Sequence, residues 1–168
     1  MRVSFSWLKQ LVQVTEPIED LAQRLSMAGF EEEEIDDLSA RAQGVVVGFV
    51  RSRDKHPNAD KLSVCQVDVG ADAPIQIVCG AKNVRAGIHV PVAMVGAVLP
   101  AVNLTIKAGD LRGVASNGMI CSLAELGLAT ESEGIAVLDD LADDCPAPGA
   151  PVAPLLGLDD TVLELAIT

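Results

Sequence analysis

Between Gly44 and Ser122 the chain is divided into short runs rich in Val and Ile: Val45–Val50, Leu62–Val69, Ile75–Cys79, Val90–Val95, Leu104–Lys107 and Gly118–Ser122. Turn residues separate the runs, and no helical period intervenes. That texture is the one of a small antiparallel barrel, because only a rolled sheet covers so many short strands with so little chain. Alternation in the second run slips near Cys65, as a bulge in a strongly coiled strand allows.

The flanks have a different grammar. Ser6 can cap a first helix whose Trp7, Leu8, Leu11, Val12 and Val14 form an apolar stripe. Glu16-Pro17 opens a second helix, with Ile18, Leu21, Ala22, Leu25 and Ala28 facing inward, Gly29 as a left-handed stop and Phe30 folding back. The acidic run Glu31–Glu34 leads into Ile35 and Leu38, a strand with one solvated face. After the β region, Ser122-Leu-Ala-Glu125 is a capping-box pattern opening a short helix that Gly127 ends, and the Pro- and Gly-rich stretch from Cys145 to Pro154 reads as a linker. Val162–Thr168 alternates as a strand and then stops without a turn or tail, so it is expected to pair with the first forty residues and to continue into a longer protein. The predicted class is α+β, mostly β: a small α/β domain with two N-terminal helices spans 1–40, a barrel is inserted at 41–150, and the first domain returns at 151–168.

Charge is unevenly placed. The whole chain carries −12, yet Arg41 to Leu123 holds nine basic and five acidic residues, a net +4, and the remainder holds three basic and nineteen acidic. A mildly basic module between acidic flanks fits one part that meets polyanions and a scaffold that does not. Cys65, Cys79, Cys121 and Cys145 contain no C-x-x-C pair, and His56 and His89 fall at no metal-ligand spacing, so no zinc site is expected. Three of the cysteines lie inside apolar runs, which suits a reducing cytosol. The start is no signal peptide, and the longest uncharged run, broken by Pro91, Pro100 and Asn103, is no bilayer span. Cytoplasmic localisation follows as an expectation.

Five segments share one more property. HPNADKL (56–62), CQVDVG (65–70), IVCGAKNV (77–84), VPVAMVGAVLP (90–100) and LRGVASNGMICS (111–122) together resemble the tRNA-binding barrel of phenylalanyl-tRNA synthetase β subunits, which is also appended to methionyl-tRNA synthetases and occurs in free-standing tRNA-binding proteins. The flanks SFSWLKQLV, SMAGFEEEEI and LGLDDTVLELAIT are similar to the synthetase β subunit in particular. The resemblance implies a five-stranded oligonucleotide-binding barrel (OB-fold). It also implies an α2β2 heterotetrameric class II enzyme whose α subunit carries the ATP- and phenylalanine-binding centre, with ATP and Mg used by the whole enzyme and no cofactor held by this segment. Two departures limit what carries over: Ala166 stands where the pattern usually has an acidic residue, and the chain stops before the part that leads to the editing domain.

Neither a P-loop nor a dinucleotide-type glycine loop is present, and two distant histidines make no nucleophilic triad, so no catalytic residues are expected here. Base stacking is excluded as the mode of binding by the aromatic count: the chain has no Tyr, and Phe49 is the single aromatic residue of the middle segment. What remains is contact with a folded RNA through shape, phosphates and 2′-hydroxyls. The candidates are Arg51, Arg53, Lys55, Lys61, Lys82, Lys107 and Arg112, with His56, Asn58, Ser116 and Asn117 as polar adapters. Pro57 and Asp60 are more simply turn formers, Gly113 and Gly118 turn glycines, and Met119 and Ile120 core. About four phosphate contacts would give weak, salt-sensitive binding. A free-standing tRNA-binding protein and a protein-interaction module without RNA are the competing readings.

Overall fold

The structure is a computed structural model that describes residues 1–167. In chain order its elements are β1 (Arg2–Ser4), α1 (Phe5–Leu11), α2 (Ile18–Met27), β2 (Glu32–Asp37), β3 (Val45–Lys55), β4 (Ser63–Asp68), β5 (Ile75–Cys79), β6 (His89–Met94), β7 (Val98–Leu99), β8 (Leu104–Thr105), β9 (Gly109–Leu111), β10 (Val114–Ser116), β11 (Gly118–Ile120) and β12 (Thr161–Leu165). They form two compact units, one of residues 1–40 and 157–168, the other Arg41–Leu156.

In the first unit β12 lies between β1 and β2, antiparallel to both. Ile18 and Ala22 of α2 pack on Leu163 and Leu165 of β12, with Phe5, Leu25 and Ile35 closing the small core. The expected stop is present: Gly29 has φ +98°, and the Phe30 amide donates to the Leu25 carbonyl at 2.9 Å. The first helix begins earlier than its apolar stripe suggests. Ser4, not Ser6, is the N-cap, accepting the Trp7 amide, because the carboxylate of Asp160 takes the Ser6 amide at 2.9 Å and is hydrogen-bonded by the Ser4 hydroxyl.

Asp160 therefore ties α1 to the start of β12, where it also accepts the Thr161 amide at 2.8 Å. Burial raises its pKa, but the Ser4, Ser6 and Thr161 hydrogen bonds outweigh burial and hold the carboxyl below its ordinary value. A depressed folded pKa contributes stability above the unfolded carboxylate pKa of about 3.9, and that contribution is lost as pH falls through the folded value. Asp160→Ala is expected to destabilise this unit by about 1.5–3 kcal/mol at neutral pH, and by much less in strong acid. Fluorescence of Trp7, the single tryptophan, reports the unfolding.

The second unit is the barrel. Five antiparallel strands run in the order β11-β6-β3-β4-β5. The seam between the ends is stitched by the Asn117 amide, which donates to the Gln76 carbonyl at 2.8 Å, and by the Ser116 hydroxyl, which accepts the Val78 amide at 3.0 Å. Val50, Cys65, Val67, Ile77, Val90, Val92 and Ile120 fill the interior. A bulge is present, but on β3 between Val50 and Ser52 rather than on β4. β4 alternates strictly, with Ser63, Cys65 and Val67 inward and Val64 outward, so the irregularity in its apolar pattern comes from a buried serine.

Two expectations are corrected. Ser122 and Glu125 do exchange capping hydrogen bonds, Ser122 amide to Glu125 Oε2 at 2.7 Å and Glu125 amide to Ser122 Oγ at 3.3 Å, but they close turns rather than a helix. The segment read as a linker is partly built into the sheet. Gly149 and Val152 donate to the carbonyls of Val47 and Val45, and the Val47 amide donates to Ala150, on the side of β3 that β4 does not reach. Pro151 fits there because an edge position needs no N–H from it. Val152 is fully buried.

Candidate nucleic-acid interface

β3 extends beyond its bulge as a charged arm, Arg51-Ser-Arg-Asp-Lys55, and the chain turns back through His56–Leu62 into β4. Alternation along β3 puts Arg53 and Lys55 on one side. The Arg53 Nε donates to the Ser63 hydroxyl at 2.9 Å, which fixes the root of its guanidinium. Lys61 follows from the turn, and Lys82 from the loop after β5. Arg53, Lys55, Lys61 and Lys82 thereby line one groove of ≈ 540 Å³ with Asp54, Asp60, Leu62 and Gly80–Ala81. Lys55 and Asp60 approach to 3.8 Å, but with 77% and 97% of their side chains exposed the pair is worth a few tenths of a kcal/mol at most. The groove thus keeps a net positive charge that a polyanion can reach.

A second concavity of ≈ 640 Å³ adjoins it, sharing Gly80 and Ala81. Lys107 lines that space beside Asp110, Glu125 and Glu133, so its charge is offset. Arg51 is likewise compromised by a 2.7 Å pair with Asp68, whose pKa is lowered first by the Gly70 amide and then by Arg51 itself.

The seven-residue turn does more than reverse the chain. The Asn58 amide donates to His56 Nδ1 at 3.0 Å, so the ring proton resides on Nε2, which donates to the Leu111 carbonyl at 2.8 Å. Asn58 Nδ2 reaches the neighbouring Arg112 carbonyl at 2.9 Å. Together they grip the tip of the β9–β10 hairpin, a two-residue turn in which Arg112 and Gly113 both have positive φ, +53° and +87°. Asp110 Oδ1 accepts the Gly113 amide across that tip. Glycine or asparagine would be the relaxed choice at position 112, so the exposed Arg112 sits at a conformational cost of about 1 kcal/mol.

The sequence-selected residues therefore separate by what they touch. Arg53, Lys55, Lys61 and Lys82 converge. Arg112 and the exposed Asn58 sit on the clamped hairpin. His56 is 3% exposed with both ring nitrogens engaged, and Ser116 is 7% exposed with its hydroxyl on Val78 and Gly118. Their assignment as polar adapters is corrected: both groups are spent inside the protein. Asn117 has an exposed side chain, while its backbone closes the barrel. The β9–β10 hairpin was not foreseen as a pair of strands. It lacks an apolar run, and the one signal for it was the Asp110-x-x-Gly113 turn chemistry.

His56→Ala would leave the Leu111 carbonyl and Asn58 amide unpartnered and open a cavity. A loss of about 2–3 kcal/mol is expected by denaturant unfolding, with faster amide exchange at Val114 and Leu111 than at barrel strands. The thiols offer no nucleophile at neutral pH, since burial pushes Cys65 up to about 11 and Cys121 up to about 12.

The family described as "Putative tRNA binding domain" matches residues 45–144. Over all 168 residues the chain is 82% identical to the phenylalanine–tRNA ligase beta subunit of Parasynechococcus marenigrum, covering 21% of that protein. It is 68% identical to the subunit of the same name from Prochlorococcus marinus, with 21% covered, and 59% identical to that of Synechocystis, with 20% covered. The chain thus spans about a fifth of the length of these curated relatives. A β barrel with a basic groove, matched through more than half of the sequence, makes this chain a member of the tRNA-binding domain family.

Proposed function

We propose that this segment belongs to the β subunit of a phenylalanine–tRNA ligase and holds tRNA for an aminoacylation carried out elsewhere in the enzyme. ATP, Mg and phenylalanine are then handled by the α subunit of an α2β2 assembly in the cytoplasm, and this segment contributes no cofactor site and no reacting group. The support for the whole-enzyme role is the name shared by the relatives; the support for tRNA contact is the family and the groove.

The single observation that carries the RNA reading is the convergence of Arg53, Lys55, Lys61 and Lys82. With Phe49 the one aromatic side chain of the barrel, and that ring set 5.0 Å from His89, no stacking platform lies along the groove. Phosphates and 2′-hydroxyls of a folded RNA are the surfaces such a groove can hold. Affinity is weak because the total charge of −12 opposes approach, and weak contact is sufficient for a module working inside a larger enzyme.

The acidity also favours a second reading, a docking surface for protein. Electrophoretic mobility shift of tRNA by the 168-residue chain at low salt separates the two. A shift that competes with unlabelled tRNA supports the proposal; no shift at a chain concentration of about 100 µM, near the weak end of non-specific binding, favours the protein-docking reading.

A further inference from the structure

His89 opens β6, Asp139 lies in the 3-10 turn Leu138–Asp140, and Cys145 follows six residues later. Folding brings their donor atoms within 4.8 Å of one another. The Asp139 carboxylate holds His89 twice: Oδ2 accepts the His89 amide at 2.6 Å, and Oδ1 meets the imidazole Nδ1 at 2.8 Å. Cys145 Sγ stands 3.9 Å from the same Oδ1. The histidine–aspartate pair alone explains how the turn is pinned to β6. It does not explain the thiol, which is the one cysteine outside the buried core.

Nitrogen, oxygen and sulfur converging in this way form the mixed donor set of a borderline-soft divalent ion. Bonds of about 2.0–2.3 Å in a tetrahedron separate donor atoms by roughly 3.2–3.8 Å. The two separations from Asp139 Oδ1, 2.8 and 3.9 Å, fall on either side of that range, and Nδ1 and Sγ lie within 4.8 Å of each other, so rotation of the side chains is needed to close the set around an ion. The arrangement is not a nucleophilic triad. Asp139 could orient the imidazole through Nδ1, but the thiol sits against that same carboxylate oxygen, on the side of the ring where no free nitrogen is left to take its proton.

We propose that His89 Nδ1, Asp139 Oδ1 and Cys145 Sγ bind one zinc ion, with the fourth position taken by water. Binding releases one proton from the thiol to solvent, and the imidazole proton resides on Nε2 so that Nδ1 can donate its lone pair. The ion ties residues 139–145 to the start of β6. Its role is structural and independent of the tRNA reading. Ligand spacing along the sequence hides it, because fifty residues separate His89 from Asp139 and the pattern contains no short repeat.

The test uses the untagged 168-residue chain, stripped with chelator and titrated with cobalt(II) and then zinc. Expected are a sulfur-to-cobalt charge-transfer band saturating at one equivalent, its loss when zinc is added, and a rise in melting temperature of about 5–10 °C at saturating zinc. Cys145→Ser and His89→Gln should abolish the band while the barrel stays folded by circular dichroism. Absence of the band in the wild-type chain, or a band that persists in Cys145→Ser, overturns the proposal.

Discussion

Lys61→Glu combined with Lys82→Glu is expected to lower tRNA affinity by about 100-fold or more at low salt, while leaving the thermal unfolding of the barrel nearly unchanged. Both lysines are exposed, and neither makes an ion pair that folding depends on. Removing two phosphate contacts costs counterion release, and two new carboxylates add repulsion within the same groove, where about 1.4 kcal/mol corresponds to each factor of ten. The same exchange at Arg51, already paired with Asp68, should cost far less. That contrast distinguishes a groove that binds phosphate from a general dependence on net charge. Filter binding or fluorescence anisotropy with a labelled tRNA measures it.

The largest effect on folding is expected at Gly48. This residue lies in the middle of β3, flanked by β6 and by the approach of β4, and a Cβ placed there would come within 2.5 Å of Val92 Cγ2 and 2.8 Å of Val67 Cγ1. Both valines are fully buried, so neither can swing aside without displacing a barrel wall. Gly48→Val should cost about 3 kcal/mol or more, a large part of the stability of a domain this size, and leave much of the chain unfolded at 37 °C. Gly109→Ala makes the control: no heavy atom lies within 4 Å of its built Cβ and its φ is not in the left-handed region, so its stability should stay within about 0.5 kcal/mol of wild type. Guanidinium unfolding followed by far-ultraviolet circular dichroism compares the two.

Most of the barrel was legible because its strands are apolar in runs. Val45–Val50, Ile75–Cys79 and Val90–Val95 announce buried backbone by side-chain type alone; the observed strands β3 and β5 cover the first two, and β6 covers the third up to Met94, leaving Val95 in an exposed turn. Gly29 was legible for a different reason, since a left-handed stop has few chemical solutions. What escaped depends on tertiary context. Ser63 is buried because its hydroxyl receives Arg53, a partner ten residues away. Gly149–Val152 looked like a linker by its composition but pairs with a free stretch of β3, a fact invisible until β4 is seen to start its pairing only at Phe49.

The site followed the same division. Charge identified the cations but not their company: Arg53, Lys55, Lys61 and Lys82 come together, whereas Arg51 pairs with Asp68 and Lys107 lines a separate concavity with three carboxylates. Polar residues were harder, because His56, Ser116 and an RNA-facing side chain carry the same functional groups. Only burial shows that the first two are consumed by Leu111, Asn58, Val78 and Gly118. The motif around His56 is thus an internal clamp on the β9–β10 hairpin that carries Arg112. Among the described residues no helix is long and apolar enough to cross a membrane, in keeping with the reading of the uncharged run around Pro91 and Pro100.

Direct contact between the four groove cations and RNA phosphates would show in the salt dependence of tRNA affinity. For the wild-type chain, log K against log salt should fall with a slope of about −3 to −4, and Lys61→Ala with Lys82→Ala should make the slope shallower by about 2. An unchanged slope in the double variant would contradict the assignment, whatever its effect on affinity.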